Sequence, residues 1–103
     1  LKFKKMKNGL VLINSATSMI FIPGDKIRFI HPESATNIAI YYEGDDFAAG
    51  SANITVDTGY ADEVLKELAR VLADTTGPFI VADDVNSIYM PNVTAVAGIT
   101  INA

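Results

Sequence analysis

Residues 60–73 read YADEVLKELARVLA, and this stretch decides the fold class because it has the one clear helical period in the chain. Its apolar residues recur at steps of three and four, which places them along one stripe of a helix. The stripe comprises Ala61, Val64, Leu65, Leu68, Val71 and Leu72. A helix with a single apolar stripe has to bury it against another layer. We therefore expect an amphipathic helix packed on one face of a β-sheet.

The segments on either side of the helix alternate between apolar and polar residues, as half-buried strands do. Residues 37–43 place Ile38, Ile40 and Tyr42 on one face, and residues 53–56 follow the same pattern. With similar short segments elsewhere, they predict an α+β fold in a single domain over residues 1–103. The expected architecture is a mainly antiparallel β-sheet of about six short strands, with the helix packed on one face.

The start of the chain carries a hairpin signal. Lys2–Met6 and Leu10–Ile13 are strand-like, and Asn8-Gly9 lies between them. Asn-Gly between two such segments is typical of a tight turn with positive φ at both residues. We therefore predict an amino-terminal hairpin that turns at Asn8-Gly9.

Charge and composition exclude several classes of function. The 103 residues include 8 Lys or Arg, 12 Asp or Glu and no Cys, for a net charge of −4. A negative body repels phosphate, so nucleic acid is not an expected partner, even though Tyr41 and Tyr42 could stack on bases. No apolar run approaches the roughly 20 residues needed to span a bilayer, so no membrane partner is expected. The absence of Cys excludes disulfides and a thiol nucleophile.

No cofactor or metal is predicted. The acidic pairs Asp45-Asp46 and Asp83-Asp84 lack the alternating acids of a calcium-binding loop. Phosphate-binding glycine motifs and the Gly-x-Ser-x-Gly nucleophile motif do not occur. His31, with Asp25 or Glu33 as a partner, offers a general base. A small enzyme that uses His31 is therefore the least favoured alternative.

Two segments predict self-association. The last strand is long and uncharged, and such a strand at a sheet edge can pair with a second copy; its residues Val96, Ile99 and Ile101 are candidate contacts. A central position of this strand within the monomer remains equally open. The other segment is the basic start of the chain, whose positive charge is complementary to the acidic remainder of a second copy. Its candidate contacts are Lys2, Lys4 and Lys5.

The order of these motifs resembles a group of small uncharacterised proteins encoded by marine bacteriophages. The motifs are an Ile-x-x-Asp-x-Ile-x-x-Ile stretch, an alternating strand, one helix and a Pro-x-Val-Thr closing strand. Here they are Ile22–Ile30, Thr36–Tyr42, residues 60–73 and Pro91–Ile101. The resemblance covers most of the chain and transfers no catalytic residue. It implies a phage-encoded, virion-associated role.

We therefore expect a non-catalytic, self-assembling structural protein that forms a homo-oligomer. Its partner would be another copy, a phage protein or a host protein, in the virion or the host cytoplasm. The alternative is a host-directed effector whose acidic loop, residues 43–46, contacts one host protein through Asp45 and Asp46.

Overall fold

The computed structural model describes residues 8–43, 49–74 and 77–101. Within these ranges it contains eight strands and one α-helix, with a single 3₁₀ turn at Gly24–Lys26. The elements in chain order are β1 (Gly9–Ser15), β2 (Ser18–Pro23), β3 (Ile27–Ser34), β4 (Asn37–Tyr42), β5 (Gly50–Val56), α1 (Ala61–Asp74), β6 (Pro78–Asp83), β7 (Ile88–Tyr89) and β8 (Val93–Ile101). The predicted α+β class with one helix is confirmed.

The strands form two sheets of four rather than one sheet of about six. The first sheet has the order β2-β1-β6-β7 and the second has the order β3-β4-β5-β8. All pairs are antiparallel except β1 with β6, which runs parallel and joins Gly9 to Pro78. The prediction of a single sheet is therefore wrong, and the mainly antiparallel character is confirmed.

The width of a helix explains why the chain needs a second sheet. An α-helix is about 10 Å across and neighbouring strands lie about 4.8 Å apart, so one helix covers roughly two strands. The helix α1 lies against β3 and β4, on one half of the second sheet. On the other half, β8 lies against β1 and β6 of the first sheet. The helix and the first sheet thus share the task of covering the second sheet.

The buried apolar residues form a cluster to which both sheets and the helix contribute. Alternation along β4 and β5 directs Ile38, Ile40 and Ile54 into it, and each of these side chains is fully buried. Val64 and Leu68 enter the same cluster from the helix. The predicted apolar stripe of the helix and the predicted inward faces of both strands are confirmed.

The predicted turn at Asn8-Gly9 is wrong. Gly9 opens β1 and lies between Pro23 of β2 and Pro78 of β6. Neither Asn8 nor Gly9 is among the described residues with positive φ, which the predicted turn type would require. The segment Lys2–Met6, the other half of the predicted hairpin, lies outside the described residues.

A close approach explains why residue 9 is glycine. A Cβ atom placed there would lie 2.5 Å from the Ile22 carbonyl oxygen and 2.6 Å from Cε1 of Phe21. The Phe21 ring therefore lies over the bare backbone of Gly9 on the outer face of the first sheet. Glycine is suited to such a position because it has no side chain to displace the ring.

We expect Gly9→Ala to destabilise the protein by about 1–3 kcal/mol, the usual cost of forcing extra volume into a packed site. Gly98→Ala is the matched control, because a Cβ there meets nothing within 4 Å and the residue also lies in a strand. The control should be neutral or slightly stabilising. Urea unfolding of the two variants measures both effects, and equal stabilities would contradict the packing explanation.

Candidate functional site: the outer faces of the two sheets

The residues predicted to mediate self-association are only partly accessible. Strand β8 does form an edge of the second sheet. However, the side chain of Val96 is only 6% exposed and belongs to the core, and Ile99 is half-buried against the core. The side chain of Ile101 and the lysines Lys2, Lys4 and Lys5 lie outside the described residues. Contact through β8 stays a prediction, and it would rely on the strand's backbone more than on Val96.

The carboxylate of Asp84 accepts a hydrogen bond from the backbone of β8 at Val96. The Val96 N–H lies 3.3 Å from both carboxylate oxygens of Asp84, and the Tyr89 hydroxyl donates to Oδ1 at 2.8 Å. This hydrogen bond to Asp84, with burial, raises the pKa of Tyr89. The backbone N–H of Val96 is therefore satisfied within the chain and is not free to pair with a second strand.

Asp83 ends β6 and organises the loop that follows. Its Oδ1 accepts hydrogen bonds from the backbone N–H groups of Val85 at 2.9 Å and Asn86 at 3.0 Å, and its Oδ2 accepts one from the Asn86 amide at 3.0 Å. The hydrogen bond from the Asn86 side chain, aided by the backbone donors, lowers the pKa of Asp83. These contacts give the carboxylate, which is only 2% exposed, a role in holding the loop.

His31 lies on the outer face of the second sheet, where it meets only one of its two predicted partners. Its Nε2 is 3.8 Å from Oε2 of Glu33, and both side chains are exposed. Asp25 lies in the 3₁₀ turn before β3, and His31 is the fifth residue of that strand. Four strand residues span roughly 13 Å, so Asp25 does not reach His31. No group of three metal-ligating acids or histidines occurs among the described residues.

The same face carries two stacked aromatic rings. Phe29 on β3 is paired with Tyr41 on β4, and their ring centroids are 4.5 Å apart with an angle of 23° between the planes. Phe29 is 57% exposed. The Tyr41 hydroxyl donates to Oε1 of Glu33 at 2.6 Å, which links the rings to Glu33 and His31. That hydrogen bond is the main reason that the pKa of Tyr41 is raised.

Polar side chains continue this face across the sheet. The register places Tyr41 beside Ser51, and His31 in line with Ala39 and Asn53. We call Phe29, His31, Glu33, Tyr41, Ser51 and Asn53 the aromatic-polar face. Tyr42, by contrast, points into the core and donates its hydroxyl to the Thr100 carbonyl at 3.1 Å. The two neighbouring tyrosines therefore serve different sides of the sheet.

The outer face of the first sheet is apolar. Register pairs Val11 with Phe21 and Ile80, and Ile13 with Met19. Met19 is 54% exposed and Phe21 is 42% exposed. A shallow groove of about 250 Å³ lies among the side chains of β1 and β2. We call Val11, Ile13, Met19, Phe21 and Ile80 the apolar face.

Alternation within β1 and β2 is present in the sequence, but it does not say which face is covered. Residues 11 and 13, or 10 and 12, are equally apolar choices for the core. Only the pairing of the sheets selects Leu10 and Leu12 for burial. The apolar face was therefore not predicted. The acidic loop residues Asp45 and Asp46 lie outside the described residues.

Comparisons with known proteins do not add to this geometry. No protein-family model, curated protein or solved structure matches the chain significantly. Among the described residues, no helix is both long enough and apolar enough to cross a bilayer.

Replacing Glu33 should change the titration of Tyr41. Glu33→Gln removes the charged acceptor that favours the neutral phenol, so the pKa of Tyr41 should fall toward its ordinary value of about 10. Glu43→Gln is the control, because Glu43 pairs with Arg28 and makes no described contact with Tyr41. NMR titration of the tyrosine ring signals measures the pKa. An unchanged Tyr41 in Glu33→Gln would contradict the hydrogen bond.

Asp83 should contribute to stability in a pH-dependent way. A carboxyl group whose pKa is lowered by folding stabilises the native state above its ordinary pKa of about 4, and this contribution is lost as the pH falls below it. Asp83→Asn should therefore be less stable than the native protein at about pH 7, with a smaller difference at about pH 3. The exposed Asp57 gives the control variant Asp57→Asn. Thermal unfolding at both pH values tests this, and a difference that does not shrink would contradict it.

Proposed function

We propose that this protein is a non-catalytic, self-assembling structural protein whose second copy covers the apolar face. The observation that carries the proposal is the exposure of Met19, Phe21 and Ile80 together on one side of the first sheet. Contiguous exposed apolar side chains mark an interaction surface more often than isolated ones do. An enzymatic function has less support, because His31 and Glu33 are both exposed and Asp25 lies in the 3₁₀ turn before β3, out of reach of His31.

A second copy suits this face because of its chemistry. Four of its residues, Val11 and Ile13 on β1 and Met19 and Phe21 on β2, are apolar, so the face can pair with the same face of a second copy in a twofold dimer. Association would bury the Met19 and Phe21 side chains without leaving a charge unpaired. A polar or charged partner would gain nothing from these side chains.

The size of the face sets the expected strength of association. Three strands about 20 Å long and about 4.8 Å apart present a footprint of roughly 300 Å². A standard stable interface buries about 800 Å² on each partner. We therefore expect a weak dimer whose population rises with protein concentration, unless other surfaces join the contact.

Salt distinguishes this interface from the lysine-based one. Each copy carries a net charge of −4, so two copies repel one another, and added salt should strengthen an apolar contact by screening this repulsion. An interface between Lys2, Lys4 and Lys5 and an acidic body would instead weaken in salt. The edge strand β8 remains a second route to assembly.

We further propose that the assembly is part of a virion. The resemblance of the chain to bacteriophage-encoded proteins supports a virion-associated component. This part rests on the resemblance alone, and the apolar face supports only the self-association.

Met19→Lys should weaken self-association by about tenfold or more, because it places a charge at the most exposed side chain of the apolar face. Light scattering after size exclusion, over a range of concentrations, should give a mass nearer the 11.0 kDa monomer for this variant than for the native protein. Phe29→Lys is the matched control, since Phe29 is equally exposed but lies on the other sheet. It should keep the native mass.

Ala97→Lys tests the alternative interface. Ala97 is exposed on β8, so a lysine there obstructs edge pairing without entering the core, whereas Ile99→Lys would also disturb the core. If Ala97→Lys lowers the mass and Met19→Lys does not, assembly uses the β8 edge. A native protein that is monomeric at every concentration would overturn the proposal of self-assembly.

A further inference from the structure

We propose that the aromatic-polar face of the second sheet is a binding site for a neutral carbohydrate. This inference goes beyond self-assembly and uses a different sheet from the apolar face. It rests on the combination of two stacked rings, the exposed Phe29 and the partly buried Tyr41, with a line of hydrogen-bonding side chains on one sheet face. Neither feature is needed for the core, since Phe29, His31 and Glu33 are all exposed.

The rings supply the apolar half of the site. Phe29 and Tyr41 stack at 4.5 Å, so each ring supports the other in a defined orientation. Beside them lies an open cleft of about 270 Å³, bordered by Phe29, Tyr41, Ser51 and the ion pair of Arg28 with Glu43. A pyranose ring has a face of C–H groups, and such a face packs on an aromatic ring without needing a charge. The volume of the cleft suits one sugar unit at the lower end of small-molecule sites.

The polar side chains supply the other half. A sugar hydroxyl both donates and accepts hydrogen bonds. Ser51 borders the cleft, and Glu33, His31 and Asn53 extend the hydrogen-bonding groups along the same sheet face beyond it. The Arg28–Glu43 ion pair adds a donor and an acceptor side by side at the cleft. Adjacent hydroxyls of a sugar match such a pairing, because one can accept from the guanidinium while the other donates to the carboxylate.

Other occupants fit this face less well. A nucleic acid could stack on the rings, but Glu33 and Glu43 would repel its phosphates, and Arg28 is already engaged by Glu43. A purely apolar partner would bury Glu33 and His31 without offering them hydrogen-bond partners, which is unfavourable. A second copy across a twofold axis would bring two Glu33 carboxylates together. A neutral polyhydroxyl ligand satisfies the polar groups and adds no charge.

The test is binding of the full chain to a panel of immobilised neutral glycans, namely β-glucan and chitin oligosaccharides and mannans. Sulfated glycans and single-stranded DNA are probed alongside. We expect retention on at least one neutral glycan, with little dependence on salt. Saturation-transfer NMR with the retained glycan should show contact from the Phe29 and Tyr41 ring protons.

Variants locate the site. Phe29→Ala and Tyr41→Ala should each weaken binding by roughly threefold to tenfold, and Glu33→Gln should weaken it without removing a ring. Tyr60→Ala is the control, because Tyr60 is an exposed aromatic residue that precedes the helix and lies outside this face. Thermal unfolding confirms that each variant is folded. If Tyr41→Ala is unfolded, Phe29→Ala and Glu33→Gln still decide the question.

Several results would overturn the proposal. The proposal is wrong if the protein binds none of the neutral glycans. It is also wrong if Phe29→Ala and Glu33→Gln both leave glycan binding unchanged. Binding to DNA alone would assign the rings to base stacking instead. A loss of oligomer mass in Phe29→Lys would make this face an interface between copies. Met19→Lys tests the apolar face separately. Failure of glycan binding therefore does not contradict the self-assembly proposal.

Discussion

The structure depends on covering the inner face of the second sheet. Four strands present one buried face there, with Ile38, Ile40 and Ile54 at its centre. A single helix, about 10 Å across, is too narrow to cover this face. The first sheet supplies the remaining cover by laying β1 and β6 against β8. After the helix the chain returns to the first sheet as β6, which pairs in parallel with β1.

Covering one face of each sheet leaves two outer faces, and they differ in chemistry. The outer face of the first sheet is apolar, with Met19, Phe21 and Ile80 exposed. The outer face of the second sheet combines the stacked Phe29 and Tyr41 with Glu33, His31 and Asn53. The proposed self-assembly uses the first face, and the proposed carbohydrate binding uses the second. The two proposals are therefore compatible and independently testable.

Acidic residues illustrate how far sequence patterns reach. In the pair Asp83-Asp84, Asp83 is the last residue of β6. Its carboxylate holds the following loop through Asn86, a contact three residues away that local turn chemistry explains. The contact of Asp84 with the Val96 N–H spans twelve residues and joins two sheets. No local pattern indicates such a contact, so the covered edge at Val96 could not be foreseen.

The sequence by itself determined the α+β class, the helix and the inward residues of β4 and β5, because spacing of apolar residues along a few turns or strand positions dictates each of them. It did not determine the division into two sheets, the place of Gly9 under Phe21, or which face of β1 is buried. Those features depend on pairing between segments as far apart as Gly9 and Pro78. Both alternating faces of β1 are apolar, so local pattern cannot rank them. Only the tertiary structure, by selecting which face meets the core, decided which side chains remain exposed on the outside.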